Sequence, residues 1–346
     1  MQIEYSFLYG SNYVTLKLAI IGTGLKACEY VTSWLKLKDV KIHAVADVNK
    51  SALEKIAHIF EEHNRPSPQL FDDWKLLLQN CSPDLDAVYI STPHVFHAEQ
   101  AEAALLADLD VLLEKPMVTT VDEAHKLIRA KHDSGREVVI GYQGALSPLV
   151  QKVRKSVQRQ EFGDLVSVSA TIWEDWATKH KGNWKQKPGI SGGGFMFDTG
   201  AHMMNTVCLL CDSDFIRVGA FMKSWGYDVD IVAVAQGELV NGGLVTLQAS
   251  GQSIPQCESQ IDMYFTNAIV HVDAWGRWLE IEFADKPTVR EEMEIVNNPL
   301  QVFQNVCAGK IENPSTVEQG MRFALLWDAI KESAKNNGAS VTLDKG

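Results

Sequence analysis

Short apolar runs alternate with segments of helical spacing between residues 16 and 141 of this 346-residue chain. Because each strand is then followed by a helix that returns the chain to the same edge, the pattern predicts a parallel sheet with right-handed crossovers. The runs are almost continuously apolar, which is typical of strands covered on both faces. We therefore predict a doubly wound α/β domain. Its strands span 16–21, 42–46, 87–90, 111–113 and 138–140, and its helices span 25–37, 50–62, 97–107 and 121–134.

The pattern changes after Gly141 to one helical segment, a glycine-rich stretch and then longer, partly alternating runs. Partial alternation predicts a mostly antiparallel sheet with one open face, and hence an α+β domain. Because an open face is often a subunit interface, we expect a homodimer or homotetramer formed through this sheet. The predicted helix spans 147–158, and the predicted strands span 165–172, 215–222, 230–237, 243–250, 259–265 and 268–272.

The change of pattern places the domain boundary between residues 140 and 141, which gives domains 1–140 and 141–346. Residues 1–14 precede the first predicted strand and are either an extra edge element or a loose arm. Ser315 and Glu318 have the spacing of a capping box, which predicts a closing helix that continues to about Asn336. A short strand is expected at 341–343.

Composition excludes several classes of partner. The chain carries 44 acidic against 32 basic residues, a net charge of -12, which repels nucleic acid. Its first residues lack the basic region and apolar run of a secretory signal, and no stretch has 18 uninterrupted apolar residues, so no membrane contact is expected. The six cysteines are scattered, with Cys208 and Cys211 as the closest pair. We expect reduced thiols, no metal site and a cytoplasmic protein.

A glycine turn, Gly22-Thr23-Gly24-Leu25, lies between the first predicted strand and helix. Gly22 permits a tight turn, and Gly24 lets the backbone approach a pyrophosphate at a helix N-terminus. Asp47 ends the second strand, where a carboxylate accepts hydrogen bonds from ribose hydroxyls and repels a 2′-phosphate. This combination predicts a dinucleotide site that prefers NAD over NADP. The alternative is an ordinary glycine turn with an acid at a strand end.

Polar residues follow two further strands. Ser91-Thr92-Pro93-His94 comes directly after 87–90, and Glu114-Lys115-Pro116 comes directly after 111–113. Both segments lie at carboxyl ends of parallel strands, where open α/β sheets bind ligands. A lysine at such a place could equally extend into solvent.

Asp198 and His202 stand four residues apart, directly after a triple glycine and among apolar residues. If a single helix begins there, both lie on one face. A carboxylate that orients a histidine is a common form of general base. The alternative is that Asp198 caps the helix and His202 is a hydrogen-bonded core residue.

In order along the chain, the motifs at 22–27, 91–93, 114–116, 141–143 and 192–202 resemble the Gfo/Idh/MocA oxidoreductase family over nearly the whole length. The resemblance implies a Rossmann domain followed by an α+β domain. It also implies NAD-dependent hydride transfer from a secondary hydroxyl of a sugar, glycoside or cyclitol. The implied catalytic residues are Lys115, Asp198 and His202. The implied cofactor residues are Gly22, Thr23, Gly24, Leu25, Asp47, Ser91, Thr92, Pro93, His97, Glu114, Lys115 and Gln143.

The substrate residues are expected to be Tyr142, Trp173, Trp184, Lys185 and Asn205, since aromatic faces suit pyranose rings. Each tryptophan could instead be a packing residue. The chain departs from the family in having Gly144-Ala145 where an arginine is frequent, Asn205 where an acid is frequent, and Lys185 in place of the commoner arginine. Two other functions remain open: a glycosidase or lyase that uses transient oxidation by bound NAD, and a non-catalytic NAD-binding regulator.

Overall fold

The computed structural model describes residues 15–294 and 298–343, and the expected N-terminal segment 1–14 lies outside the described residues. The first half of the described chain alternates strands and helices as its sequence predicts. Its elements are β1 Leu16–Ile21, α1 Leu25–Trp34, β2 Val40–Ala46, α2 Lys50–Glu62, β3 Gln69–Phe71, α3 Trp74–Cys81, β4 Ala87–Ile90, α4 His97–Leu106, β5 Asp110–Leu113, α5 Val121–Ser134 and β6 Val138–Ile140.

These strands form a parallel sheet of six, in the described residues, with the order β3-β2-β1-β4-β5-β6. The order reverses between β1 and β4, so their carboxyl ends open a crevice where ligands of such sheets bind. The strands β4 and β6 are buried at every position, as their continuous apolar runs require. The edge strand β3 and the helix α3 are not predicted from the sequence, because β3 is short and has no buried residue.

The second half of the described chain supplies a larger sheet and its covering helices. These elements are α6 Gln143–Leu146, α7 Pro148–Gln158, β7 Leu165–Glu174, α8 Trp176–Lys179, α9 Pro188–Ser191, α10 Phe195–Asp198, α11 Gly200–Leu210, β8 Phe215–Lys223, β9 Val232–Leu239, β10 Leu244–Ser250, β11 Cys257–Phe265, β12 Ala268–Val272, β13 Trp278–Phe283, β14 Val289–Glu292, α12 Pro299–Cys307, α13 Val317–Lys335 and β15 Val341–Thr342.

Nine strands of the described residues form this sheet, in the order β14-β13-β12-β11-β7-β10-β9-β8-β15. All neighbours are antiparallel except β7 and β10. One face is buried and the other is open, as β10 illustrates: Val245 and Leu247 are buried, whereas Thr246 and Gln248 are exposed. The predicted fold class, a parallel doubly wound sheet followed by an α+β domain with an open-faced sheet, is thereby confirmed.

The second half of the chain also returns to the first sheet. Leu300 and Phe303 of α12 join the apolar cluster that contains Leu18 of β1. The indole Nε1 of Trp34 donates to Asn298 Oδ1 at 3.0 Å. The boundary at residue 140 stays a prediction, and α12 packs on the domain that precedes this boundary. None of the helices in residues 15–294 and 298–343 is both long and apolar enough to cross a membrane.

The closing helix is capped one residue later than predicted. Thr316 Oγ1 accepts from the backbone N–H of Gln319, and Gln319 Oε1 accepts from the backbone N–H of Thr316. Ser315 is fully buried, and its hydroxyl has no described partner, so the predicted Ser315–Glu318 box is wrong. Both registers satisfy the same local pattern, and the burial of Ser315 excludes the first.

Candidate active site

The two glycines of the turn after β1 are required for different reasons. Gly22 has φ +90°, and a Cβ there would lie 2.6 Å from the carbonyl oxygen of Ser91. Gly24 has open space where its Cβ would be, and it caps α1 without any side-chain hydrogen bond. The N-terminus of α1 therefore faces a space that a pyrophosphate fits, where the helix dipole and backbone N–H groups favour an anion.

Asp47 lies at the end of β2, against this turn. Its Oδ2 accepts from the backbone N–H of Thr23 at 2.7 Å and from the Thr23 hydroxyl at 2.8 Å. Leu25 and Val48, which adjoin the turn and Asp47 in sequence, are 76% and 86% exposed. Exposed apolar side chains beside a glycine turn and a carboxylate are the surface that an adenosine would cover, so these residues fit a dinucleotide.

His97 connects two of the predicted cofactor loops. Its Nδ1 lies 2.8 Å from the carbonyl oxygen of Pro116, and its Nε2 lies 2.9 Å from that of Thr92. The imidazole is fully buried. The prediction that His97 contacts the cofactor is therefore corrected, because backbone groups occupy both ring nitrogens. It holds the loops that contain Ser91, Thr92, Pro93 and Lys115 in place.

Glu114 and Gln143 follow β5 and β6, at the edge of the parallel sheet formed by the carboxyl ends of its strands. Glu114 Oε1 accepts from the hydroxyl of Tyr89 at 2.9 Å, and burial raises the pKa of this carboxyl. Gln143 begins α6 and is partly exposed, and no hydrogen bond of its side chain is found in the described residues. Both side chains remain predicted cofactor contacts.

The carboxylate of Asp198 is the centre of an ion cluster that joins the two domains. Lys115 Nζ donates to its Oδ1 at 2.9 Å and to its backbone carbonyl at 2.8 Å. Lys185 Nζ and the indole N–H of Trp176 both donate to its Oδ2, at 2.7 and 2.8 Å. Burial opposes ionisation of Asp198, but Lys115 and then Lys185 outweigh it and hold the pKa well below its usual range.

Asp198 does not orient His202, which corrects the predicted dyad. Only Thr199, itself in the right-handed helical region, separates α10 from α11, so the contacts of the carboxylate decide the matter. Both carboxylate oxygens are occupied by Lys115, Lys185 and Trp176, and no hydrogen bond in the described residues joins them to His202.

His202 is nearly buried, at 8% exposed, and its Nδ1 has no hydrogen-bond partner in the described residues. Its ring lies 6.4 Å from that of Tyr142 and 5.8 Å from that of Trp275, between ring centroids. Burial, and then the charge of Lys115, lower its pKa well below the usual value. The imidazole is therefore neutral at neutral pH and able to accept a proton.

Two predicted substrate residues lie beside His202. Tyr142 is 1% exposed and Asn205 is 2% exposed, and Oδ1 of Asn205 lacks a partner in the described residues, whereas the hydroxyl of Tyr142 lies against the backbone of Met117. Buried polar atoms without partners are costly unless a water or ligand satisfies them. Asn205 is therefore a candidate for contact with a bound molecule, and contact by Tyr142 stays a prediction from the sequence.

The tryptophans divide between the two faces of the larger sheet. Trp173 alternates with the buried Ile172 and Glu174 in β7, so its side chain lies on the open face, away from the ion cluster. The prediction that it contacts substrate is corrected for this reason. Trp176, just after the strand, is fully buried and reaches Asp198 instead. Trp184 lies near the cluster and is partly buried.

His94 is a site residue that sequence reasoning did not single out. Its Nδ1 lies 2.7 Å from the carbonyl oxygen of Ser191, and its Nε2 lies 3.9 Å from Asp198 Oδ1. Its ring packs at right angles to that of Trp184, with 4.9 Å between centroids. Burial lowers the pKa of His94 well below the usual value. Its position directly after Pro93, at a strand's carboxyl end, was the available signal.

Asp230 is a second such residue, and it explains Gly194, the last of the three glycines. Its carboxylate accepts from the backbone N–H groups of Gly194 and Met196, at 2.7 and 3.0 Å, and so caps α10. A Cβ on Gly194 would lie 1.9 Å from the carbonyl oxygen of Asp230. The glycine allows this close approach, which fixes the position of Asp198 four residues later.

A doubly wound domain with a dinucleotide turn, followed by a domain with an open-faced sheet, and a cluster of lysines and histidines between the two, is the architecture of a nucleotide-binding oxidoreductase. The family model described as "Oxidoreductase family, NAD-binding Rossmann fold" matches residues 16–142, and "GFO/IDH/MocA C-terminal domain" matches residues 150–271. The chain belongs to this GFO/IDH/MocA oxidoreductase family, which confirms the resemblance of its motifs.

Three similar proteins illustrate the range of the family. D-glucoside 3-dehydrogenase of Escherichia coli strain K12 is 24% identical over 351 residues, covering 92% of this chain and 95% of its own. The 1-carboxy-3-chloro-3,4-dihydroxycyclohexa-1,5-diene dehydrogenase of Comamonas testosteroni is 23% identical over 210 residues, which are 61% of this chain and 51% of its own. This chain spans about half the length of that enzyme and of two further curated relatives that it matches. A solved levoglucosan dehydrogenase in complex with NADH shares the fold, with a TM-score of 0.80, 20% identity and coverage of 96% and 100%.

Proposed function

We propose that this protein is an NAD-dependent dehydrogenase that transfers a hydride between the nicotinamide and a secondary hydroxyl of a sugar, glycoside or cyclitol. One observation carries the proposal. Lys115, at the carboxyl end of β5 beside the predicted nicotinamide site, is held by two hydrogen bonds to Asp198. The neutral His202, four residues after Asp198 and without a described partner at Nδ1, complements this cation.

Each side chain has a distinct part in the reaction. Lys115 directs two of its protons at Asp198, which leaves one for the reacting hydroxyl and for the negative charge that develops on it. His202 accepts the hydroxyl proton as the general base. The bound nicotinamide supplies the acceptor for the hydride that leaves the carbon. Asp198 keeps its charge throughout, because its pKa is held low, and positions both lysines.

Names of relatives support a carbohydrate-like substrate. D-glucoside 3-dehydrogenase, whose match spans nearly all of this chain, acts by its name on a glucoside. The structure with NADH is a dehydrogenase of the anhydrosugar levoglucosan. We accordingly place the substrate beside Trp184, with one hydroxyl between Lys115 and His202.

The proposal is tested with purified protein, its bound nucleotide and a panel of sugars, cyclitols and aryl glycosides. NADH accumulation with the substrate is expected. Lys115→Ala should lower turnover at least 1,000-fold with little loss of NAD affinity, because the missing ammonium stabilises charge that develops only in the reaction. Lys75→Ala, which removes an exposed lysine paired with Glu99, is the control and should react normally.

Other outcomes of this experiment identify the rival functions. Release of the aglycone from an aryl glycoside without NADH accumulation would assign a glycosidase or lyase that oxidises only transiently. Firm NAD binding with no turnover of any compound would assign a regulator. Normal activity of Lys115→Ala would refute the proposed mechanism.

We also propose that NAD is preferred over NADP. Asp47 is fixed by Thr23 at the end of β2, where its charge would oppose a 2′-phosphate. Relatives differ in this respect, since one that is 25% identical over 227 residues is a D-xylose 1-dehydrogenase [NADP(+)] of Haloarcula marismortui. Asp47→Asn, which keeps an acceptor for Thr23, should reduce the NAD to NADP ratio of kcat/KM at least tenfold, because like-charge repulsion is removed. The exposed Asp84→Asn is the control, and an unchanged ratio in Asp47→Asn would contradict the assignment.

A further inference from the structure

The ion cluster at Asp198 contains one carboxylate for two ammonium groups. Lys115 occupies Oδ1, and Lys185 shares Oδ2 with the indole N–H of Trp176. The side chain of Asp198 is 2% exposed, whereas those of Lys115 and Lys185 are 14% and 25% exposed. Both cations are thus largely withdrawn from water, and one negative charge is divided between them.

The surroundings of Lys185 do not supply the missing negative charge. Glu174 is engaged by Lys179 through Oε1 and by the Thr199 hydroxyl through Oε2. His180 is partly buried, and burial, followed by the charge of Lys185, lowers its pKa to about 4, so it is neutral. In the described residues, the one hydrogen bond from the Lys185 ammonium goes to Asp198 Oδ2. Two of its three protons are therefore free for a ligand.

Lys179 shows the arrangement that a purely structural lysine takes in the same segment. It pairs one-to-one with Glu174 at 2.7 Å, and its side chain is 63% exposed. The side chain of Lys185 is more buried than that of Lys179, and it shares the single carboxylate of Asp198 with Lys115. A partly buried charge without full compensation is costly, and a ligand of opposite charge removes that cost.

The geometry points to a carboxylate on the substrate, bound by Lys185, while Lys115 and His202 act on a hydroxyl of the same molecule. The substrate class is then a sugar acid, such as a uronate or aldonate, or a carboxylated cyclitol. Trp184 supports this placement, because its ring lies 6.0 Å from Lys185 Nζ and offers an apolar face to the ring of such a molecule. This inference rests on the proposed function and narrows it.

A carboxylate fits this position better than a phosphate does. The cluster has one uncompensated positive charge, which matches the single charge of a carboxylate, and it contains no arginine to engage a phosphate with paired donors. Because the whole chain carries a net charge of -12, it does not attract anions at long range. Selection of an acid therefore depends on the local contact with Lys185.

The test compares acids with neutral counterparts, here called neutral parents: glucuronate with glucose, galacturonate with galactose, and quinate with its methyl ester. At least one acid should exceed its neutral parent tenfold or more in kcat/KM. Lys185→Met should lower kcat/KM for the acid about 10- to 100-fold, mainly through KM, and for the neutral parent less than threefold. Lys185→Arg, which retains the charge, should keep most of the preference. Lys181→Met, which removes an exposed lysine of the same segment and leaves the Lys179–Glu174 pair intact, is the control and should change neither value.

Two results would overturn the inference while leaving the dehydrogenase intact: neutral parents that react as well as the acids, or equal losses for both in Lys185→Met. The second result would mean that Lys185 only positions Asp198. If no pair yields NADH, the proposed function fails, and calorimetry of the NAD-loaded protein with the three acids decides the inference separately. Saturable binding that is lost in Lys185→Met supports it, and absence of binding refutes it.

Discussion

At the scale of single residues, the two lysines lower the pKa of both Asp198 and His202, which leaves the carboxylate charged and the imidazole neutral. Lys115 and Lys185 lower the pKa of Asp198 against the effect of burial, and so keep its negative charge. At His202, burial acts first and the same lysines add to it, so the imidazole stays neutral. The imidazole is therefore unprotonated and has a nitrogen lone pair for a hydroxyl proton, while Asp198 keeps the charge that holds the lysines.

The buried histidines predict a loss of stability in mild acid. Burial lowers the pKa of His94, His97 and His202 below the usual value of about 6.5, whereas each regains that value on unfolding. Below pH 6.5 the unfolded chain then binds more protons than the native chain, so stability is full above that pH and falls as pH decreases. Each histidine contributes up to about 1.4 kcal/mol per pH unit. Urea unfolding at pH 7.5, 6 and 5 measures this slope.

A variant of His202 measures how much of this pH dependence of stability comes from the candidate active site. His202→Asn should make the free energy of unfolding less dependent on pH between 6.5 and 5, because one group no longer gains a proton on unfolding. His58→Gln, which replaces an exposed histidine of α2, is the control and should leave the slope unchanged. An identical slope in His202→Asn and the parent would contradict the burial effect at this residue.

At the scale of elements, the segment 192–198 determines where Asp198 lies. Gly194→Ala would place a Cβ 1.9 Å from the backbone oxygen of Asp230, which cannot be relieved by rotating a side chain. We expect a loss of about 3 kcal/mol in the free energy of unfolding and a large loss of activity, since α10 must shift. Gly189→Ala is the matched control, because nothing lies within 4 Å of a Cβ there. Equal stability of the two variants, measured in urea, would refute the role of this contact.

The sequence predicts elements well where one local pattern determines them, as in β1, α2, β4 and α5. The sequence is less informative about contacts that depend on packing between residues distant along the chain. The contacts between Lys115 and Asp198, 83 residues apart, and between His94 and Ser191, 97 apart, join different domains and leave no local signature. The faces occupied by Trp173 and Trp176 depend on where β7 ends, because one residue more or less in a strand reverses the side-chain direction. The sequence motifs therefore identify the residues of the site, whereas packing between the domains determines which of these residues contact one another.

At the scale of the whole molecule, the ion cluster ties the two domains together beside the predicted cofactor site. Lys115 and His94 come from the parallel sheet, and Asp198 and Lys185 come from the second half of the chain. A dinucleotide bound at the parallel sheet and a substrate bound by the second half of the chain would therefore both act on this one cluster. A change at Asp198 is expected to disturb both lysines together.

The open face of the nine-stranded sheet supports a last prediction, that a second copy of the chain covers it. Its central strands present hydroxyl, amide and aromatic side chains with few charges, as at Thr171, Trp173, Thr246 and Gln248. Depletion of charged residues is typical of the core of subunit interfaces. Light scattering should therefore give two or four times the 38.4 kDa of one chain.

A lysine placed at the centre of this face should separate the subunits. Thr246→Lys introduces a charge that cannot be hydrated in a closed interface, so the mass should fall toward 38.4 kDa, with the fold retained by circular dichroism. Gln301→Lys on the exposed side of α12 is the control and should keep the parent mass. Because Asp198, Lys115 and Lys185 all lie on the covered side of the sheet, the separated chain should still bind nucleotide. A parent protein that is already monomeric at micromolar concentration would refute the assignment of this face.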